Sequence, residues 1–194
     1  RLQEFVHYIV DTELREMCQK VIDHPRFNTQ FGSAGEHHAY PGGLVVHTFE
    51  VVKYAYNMTK MFPFADQDVV LTAAIFHDFM KIDEYTEDYN GVYLAGPDEN
   101  GYYYNESTIV PAKTPYRNLI RHVAGSYAKF MVLLDETDVS EEKAMAIGHA
   151  ILAHHGRKEW GSPIEPQTIE AYIVHTADMM SVRYGTYKDA ITKN

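Results

Sequence analysis

The stretch that most limits what this chain can become runs from Ala73 to Lys81. The apolar, helix-like run Ala73-Ala74-Ile75-Phe76 continues straight into His77 and Asp78 and, after Phe79-Met80, into Lys81. Such a run must be buried, and burying a carboxylate beside an imidazole is costly unless something compensates both. A divalent metal ion is the commonest partner that takes both. Adjacent residues on a helix point about 100° apart, so His77 and Asp78 reach one ion only near a helix end or where the ion lies between their directions. Lys81 follows one turn later; it cannot ligate while charged and suits an anion bound at the metal. The competing reading is a buried Asp78–Lys81 ion pair. A metal needs further ligands, so the other histidines and carboxylates have to decide.

They recur on the core-facing stripes of other segments. Two helices are expected over Leu2 to Val10 and Leu14 to Ile22, with Asp11 or Thr12 capping the second. Pro25 to Glu36 reads as a loop, and Pro41-Gly42-Gly43 makes a sharp approach to a helix on which Leu44, His47, Val51 and Tyr54 share a stripe. His37, His38 and Tyr40 stand in the loop before it, within reach of a substrate or as parts of the turn. A helix from about Asp66 to Lys81 carries the opening stretch. Glu84 to Val110 changes character, with Asn90-Gly91 and Asn100-Gly101 as hairpin-type turns and Tyr102, Tyr103 and Tyr104 able to pack across strands or to stack on a base.

A helix over Tyr116 to Leu134 brings in Arg117, Arg121 and His122, the arginines either guiding a phosphate or forming a solvated face. The next helix, capped by Asp138 or Ser140, aligns Ala144, Ile147, Ile151 and His154, with His155 and the stop signal Gly156 following. A loop with Arg157, Lys158 and Trp160-Gly161-Ser162-Pro163 leads to a last helix, where Ala171, Val174, Asp178 and Ser181 share a stripe and His175 stands one turn before Asp178. Singly, each histidine has a packing explanation. Together, His47, His77-Asp78, His122, His154 or His155, and Asp178 lie on the core sides of different helices, the way helical bundles build metal sites.

With 194 residues, 45% of them hydrophobic, one well-filled domain spanning 1–194 is expected. Cys18 is the single cysteine, which excludes an internal disulfide and a cysteine-rich zinc site and makes a reducing cytoplasm the default compartment. No apolar run is long enough to cross a bilayer, so no membrane partner is expected. A net charge of −10 argues against strong stand-alone binding of nucleic acid. Bound divalent ions would reverse that sign locally, where a phosphate would sit.

The order H, HD, H, H, D resembles the HD-domain superfamily of metal-dependent phosphohydrolases. The likeness is closest to the bacterial HD-domain 3'-to-5' exoribonucleases, through His37-His38-Ala39-Tyr40-Pro41-Gly42-Gly43-Leu44 with His47-Thr48, through His77-Asp78 with Lys81, and through His154-His155-Gly156, Trp160-Gly161-Ser162-Pro163 and His175 to Asp178. The resemblance implies an all-α HD-domain helical bundle with a short β-hairpin insertion at about residues 84–110. It implies that His47, His77, Asp78 and Asp178 hold one ion, and that Asp78 bridges to a second held by His122 and by His154, with His155 competing or additional. Water activated between the ions would attack phosphorus, with Lys81 on a non-bridging oxygen and His38, Tyr40, Arg121 and Arg157 near the substrate.

A site of nitrogen and oxygen donors suits Mn or Fe first, and Ni, Co or Zn after them. The expected substrate is a nucleotide or short RNA. The family usually carries an oligonucleotide-binding barrel ahead of this domain, which this sequence is expected to lack, and a start at Arg1 suggests a segment upstream. Two other classes use the same ligand order: a di-iron oxygenase of this fold, and a catalytically silent nucleotide-binding module.

Overall fold

The computed structural model describes residues 1–35, 38–94 and 105–192. Among these residues there are nine α-helices: α1 (Leu2–Val6), α2 (Thr12–Ile22), α3 (Gly43–Thr59), α4 (Gln67–Phe76), α5 (Lys81–Glu84), α6 (Pro115–Leu119), α7 (His122–Leu134), α8 (Glu141–Ala153) and α9 (Ile169–Thr192). Strands β1 (Tyr85–Leu94) and β2 (Asn105–Lys113) interrupt them between α5 and α6. The architecture is the expected helical bundle with a small hairpin. Among the described residues, no helix is long and apolar enough to cross a membrane.

The bundle is organised around α4, because every residue from Asp68 to Phe76 is buried. A helix apolar all round has no solvent face and must sit inside its neighbours; α2, α3, α7, α8 and α9 all pack on it. The charged exception, Asp68, accepts hydrogen bonds from the backbone N–H groups of Val10 and Asp11 at 2.8 and 2.9 Å, which ties the N-terminal segment to the centre. Helix starts follow side-chain chemistry: Asp11, Asp66 and Ser140 each accept from the first-turn N–H groups of α2, α4 and α8.

Four expectations change. The first helix stops at Val6 rather than Val10. The helix expected to reach Lys81 ends at Phe76, and His77 to Met80 form a tighter turn in which the Phe79 and Lys81 N–H groups donate to Phe76 and Asp78 carbonyls at 3.0 and 2.9 Å. The helix expected over Tyr116 to Leu134 is two helices, broken at Arg121, whose φ is +65°. The break has a cause in the core, since it turns the His122 N–H toward the buried Glu84 carboxylate at 2.6 Å.

The fourth change is in the hairpin. Asn90-Gly91 is no turn but lies inside β1, at a register shift between Asp88 and Gly91, while Tyr85 pairs with Lys113 and Leu94 with Asn105. Such a bulge absorbs an extra residue without ending the pairing, so cross-strand hydrogen bonding overrides the local turn signal. Asn100-Gly101 and Tyr102 to Tyr104 lie outside the described residues, as does His37.

Candidate metal centre

The broken helix resolves how two adjacent residues face one point. The tight turn after Phe76 swings Asp78 toward His77, whose Nε2 lies 3.4 Å from Asp78 Oδ2. His47, from the second turn of α3, brings its Nε2 to 3.2 Å from both His77 Nε2 and Asp78 Oδ2. Asp178, from α9, puts Oδ1 3.2 Å from the same His47 nitrogen. Donors at about 2.1 Å from one ion stand about 3.0 to 3.4 Å from each other, which is the spacing found here.

A second group forms on the other oxygen of Asp78. His122, first residue of α7, has Nε2 3.2 Å from Asp78 Oδ1 and 3.2 Å from His155 Nε2. His154 Nε2 is 3.7 Å from Asp78 Oδ1. His154 and His155 therefore both turn into this group, although they are sequence neighbours at the end of α8.

The tautomers are fixed from behind. The Nδ1 atoms of His77, His154 and His155 each meet a backbone carbonyl, of Ala74, Ile151 and Trp160, at 2.8, 2.7 and 2.8 Å. A carbonyl only accepts, so each Nδ1 carries the proton and each Nε2 presents a lone pair. His122 Nδ1 donates to Glu84 at 2.8 Å, and His47 Nδ1 to Ser181 Oγ at 3.0 Å, because that hydroxyl spends its own proton on Glu50 at 2.6 Å. Five imidazole Nε2 atoms thus converge around one carboxylate. Asp78 Oδ1 and His154 Nε2 are buried without a hydrogen-bond partner. Packed lone pairs and orphaned acceptors repel one another unless a cation lies between them, and that is the donor set a divalent ion requires.

The electrostatics follow. Burial alone would raise the Asp78 carboxyl, but Lys81, His77 and His122 hold it well below its ordinary range. Burial likewise opposes ionisation of Asp178, and its bond with His47 overcomes this and lowers it. His47 is pulled down by burial yet lifted to about 9 by Asp178 and Asp78. His154 is driven well below its ordinary value by burial and the neighbouring histidines, and His155 down to about 4 by burial and His122. These two rings therefore stay neutral and able to ligate.

Above the centre opens a cavity of about 600 Å³ lined by Gly32, His38, Lys81, Trp160, Asp178 and Arg183 among others. Lys81 Nζ donates to Asp78 Oδ2 at 2.6 Å and to the Gly32 carbonyl at 2.8 Å, and burial, which would lower its basicity, is outweighed by Asp78. Two glycines make the approach possible. A Cβ on Gly43 would sit 2.0 Å from the His38 carbonyl oxygen, so only glycine lets the loop fold against α3. Gly156, at φ +82°, leaves room for His175, whose Nδ1 donates to the His154 carbonyl at 2.8 Å.

The description of the HD domain family matches residues 44–182. The chain belongs to this family. Curated relatives include proteins named 3'-5' exoribonuclease YhaM. That of Bacillus licheniformis is 26% identical over 180 residues, covering 93% of this chain and 49% of its own. Those of Bacillus subtilis and Listeria welshimeri are 27% and 29% identical, over 81% and 74% of this chain and 44% and 40% of their own lengths. The chain spans about half the length of the curated relatives it matches. No solved structure matches it.

The HD domain brings together His47, His77, Asp78, His122, His154, His155 and Asp178, with Lys81 and His38 at the cavity. Other expected substrate contacts stand apart from the lining: Tyr40 is 46% exposed beside His38, and Arg121 and Arg157 are exposed, the latter with its guanidinium 4.9 Å from the Trp160 ring centroid. Arg117 binds Glu84 and the Tyr85 hydroxyl at 2.5 and 2.6 Å. His175 holds the His154 main chain rather than a ligand ring. Sequence reasoning missed Glu50, Glu84 and Arg183. Glu50 stands one turn from His47 and could have been found by that spacing, whereas nothing near Glu84 in sequence points to His122.

Proposed function

We propose that this HD domain is a divalent-metal phosphohydrolase acting on a phosphodiester or phosphomonoester of a nucleotide or short RNA. One observation carries the reading: Asp78 offers its two oxygens to two separate sets of imidazole nitrogens, beside a half-buried lysine, at the floor of a cavity. His47, His77, Asp78 and Asp178 would hold one ion, and Asp78, His122, His154 and His155 a second, Mn or Fe being favoured. Ions held there supply an acidified water and neutralise charge on phosphoryl oxygens.

This chain's own residues do the rest. Lys81, fixed by Asp78 and Gly32, keeps its proton and faces the cavity, where it would hold a non-bridging oxygen and the charge that grows on it. Its cationic head favours a phosphoryl substrate over dioxygen. Glu84 and the Glu50–Ser181 pair keep the His122 and His47 rings oriented through Nδ1. The relatives named as exoribonucleases make RNA 3' ends the first substrates to try.

The test is Asp78→Ala. The wild-type chain, analysed for metal and assayed on nucleotides and short RNA with Mn, should bind metal and release product. The variant should lose both, and full hydrolysis by a metal-free Asp78→Ala protein would overturn the reading.

A further inference from the structure

One wall of the cavity takes no part in the chemistry just described. It is made by Trp160, from the loop after α8, and by Met179, Val182 and Arg183 of α9. Trp160 is the chain's single tryptophan, lies outside the hydrophobic core and is 46% exposed. An indole is among the largest apolar side chains, so leaving it open beside a cavity forgoes burial that a core position would provide. Its backbone is held in place: the Trp160 carbonyl accepts from His155 Nδ1, and Gly161, at φ +100°, closes the turn behind it. The loop that orients a candidate ligand thus also fixes where the indole stands. Met179 and Val182 are half-buried and add apolar surface. Arg183 is exposed at the same cavity and enters no hydrogen bond or ion pair with the described residues.

Resting on the function proposed above, the geometry points to a nucleoside subsite: the base of the reacting nucleotide stacks on Trp160 against Met179 and Val182, and Arg183 takes the next phosphate along the strand. Every base offers a π-face, so an aromatic platform accepts all of them and selects against a sugar phosphate that has none. Arg183 brings a cation to the edge of this cavity on a chain of net charge −10. Placed here, it favours a ligand with a second phosphate over a free mononucleotide. A cavity of about 600 Å³ is within the range that holds ligands of this size.

The single tryptophan reports on the subsite directly. Adenosine 5'-monophosphate, cytidine 5'-monophosphate, ribose 5-phosphate and the dinucleotide pApA are titrated into the protein as purified, with tryptophan fluorescence excited at its red edge. Both nucleotides and pApA should quench saturably, and ribose 5-phosphate should not. Arg183→Ala should weaken pApA several-fold more than adenosine 5'-monophosphate.

In hydrolysis of pApA, Trp160→Ala should raise KM about tenfold, the loss expected for one base–aromatic stack, with kcat within about twofold. Trp160→Phe should restore KM. Equal quenching by ribose 5-phosphate, no response to any probe, or a Trp160→Ala protein that loses kcat at unchanged KM would overturn the subsite. A wild-type protein that quenches yet hydrolyses nothing with any metal would sink the proposed activity and leave the subsite standing.

Discussion

His47 is the residue whose proton an incoming ion has to displace. Burial disfavours its charged form, but Asp178 and Asp78 at 3.2 Å lift it to about 9, so without an ion Nε2 is protonated at neutral pH. Metal and proton therefore compete for one lone pair. Titrating the ion-free protein with Mn at pH 7, in buffers of different ionisation enthalpy, should show about one proton released with the first ion, and release should vanish well above pH 9. The stability of the ion-free protein should follow the same group. Its folded value lies above the ordinary 6.5, so its contribution is fully present below that value and is lost as pH rises through about 9. Thermal melts of chelated protein should fall across that window while those of loaded protein should not. An unchanged proton release in His47→Gln would assign the effect elsewhere.

At the scale of elements, the second set of donors hangs on the root of the hairpin. Glu84 ends α5 immediately before β1, is fully buried, and accepts from both the N–H and Nδ1 of His122 while pairing with Arg117. Burial alone would raise its carboxyl, but His122 and then Arg117 bring it down to about 2. Glu84→Gln removes the charge that orients His122, and losing such an outer partner typically costs about 10- to 100-fold in metal affinity. Calorimetry should find one of two binding phases reduced by that factor and the other nearly unchanged; equal losses in both phases would count against separate sites.

Gly156→Ala strikes the other end of the same group. Its Cβ would lie 2.2 Å from His175 Cε1 at a φ of +82°, so urea denaturation should show a loss of about 2 kcal/mol or more. Much of this was legible in advance, for physical reasons. The caps at Asp11, Asp66 and Ser140, and the stripes bearing His47, His154 and Asp178, follow from local hydrogen bonding and helical period. The break after Phe76 was not legible, because Phe-His-Asp-Phe-Met holds no helix breaker, and a long-range packing demand sets it. Arg121 has the same lesson, with a positive φ and no glycine to announce it. Asn90-Gly91 failed in the opposite sense, as a strong local turn signal absorbed by the pairing of β1 with β2.

For the whole molecule, the candidate centre is a junction of chain segments far apart in sequence. Its donors come from α3, the turn after α4, α7, the end of α8 and α9, so an ion that binds only the folded chain ties most of the bundle together. At a free concentration about a hundredfold above its dissociation constant, one such ion adds about 2.7 kcal/mol. For a domain of this size, each kcal/mol moves the melting temperature by roughly 2 to 4 °C. Removing metal with a chelator should therefore lower Tm by roughly 5 to 10 °C per ion. Restoring Mn should return it, with a midpoint that climbs with metal concentration.

Asp78→Ala supplies the control. Without the shared carboxylate, chelator and added Mn should both leave its Tm within about a degree, although the variant's own Tm can lie on either side of the chelated wild type. The sign is set by two opposed effects: losing Asp78 strands the Lys81 ammonium, and it also relieves an unpaired buried oxygen. A wild-type Tm indifferent to chelation and to Mn would mean that the five converging imidazoles hold the fold without a cation, and the case for a metal centre would go with it.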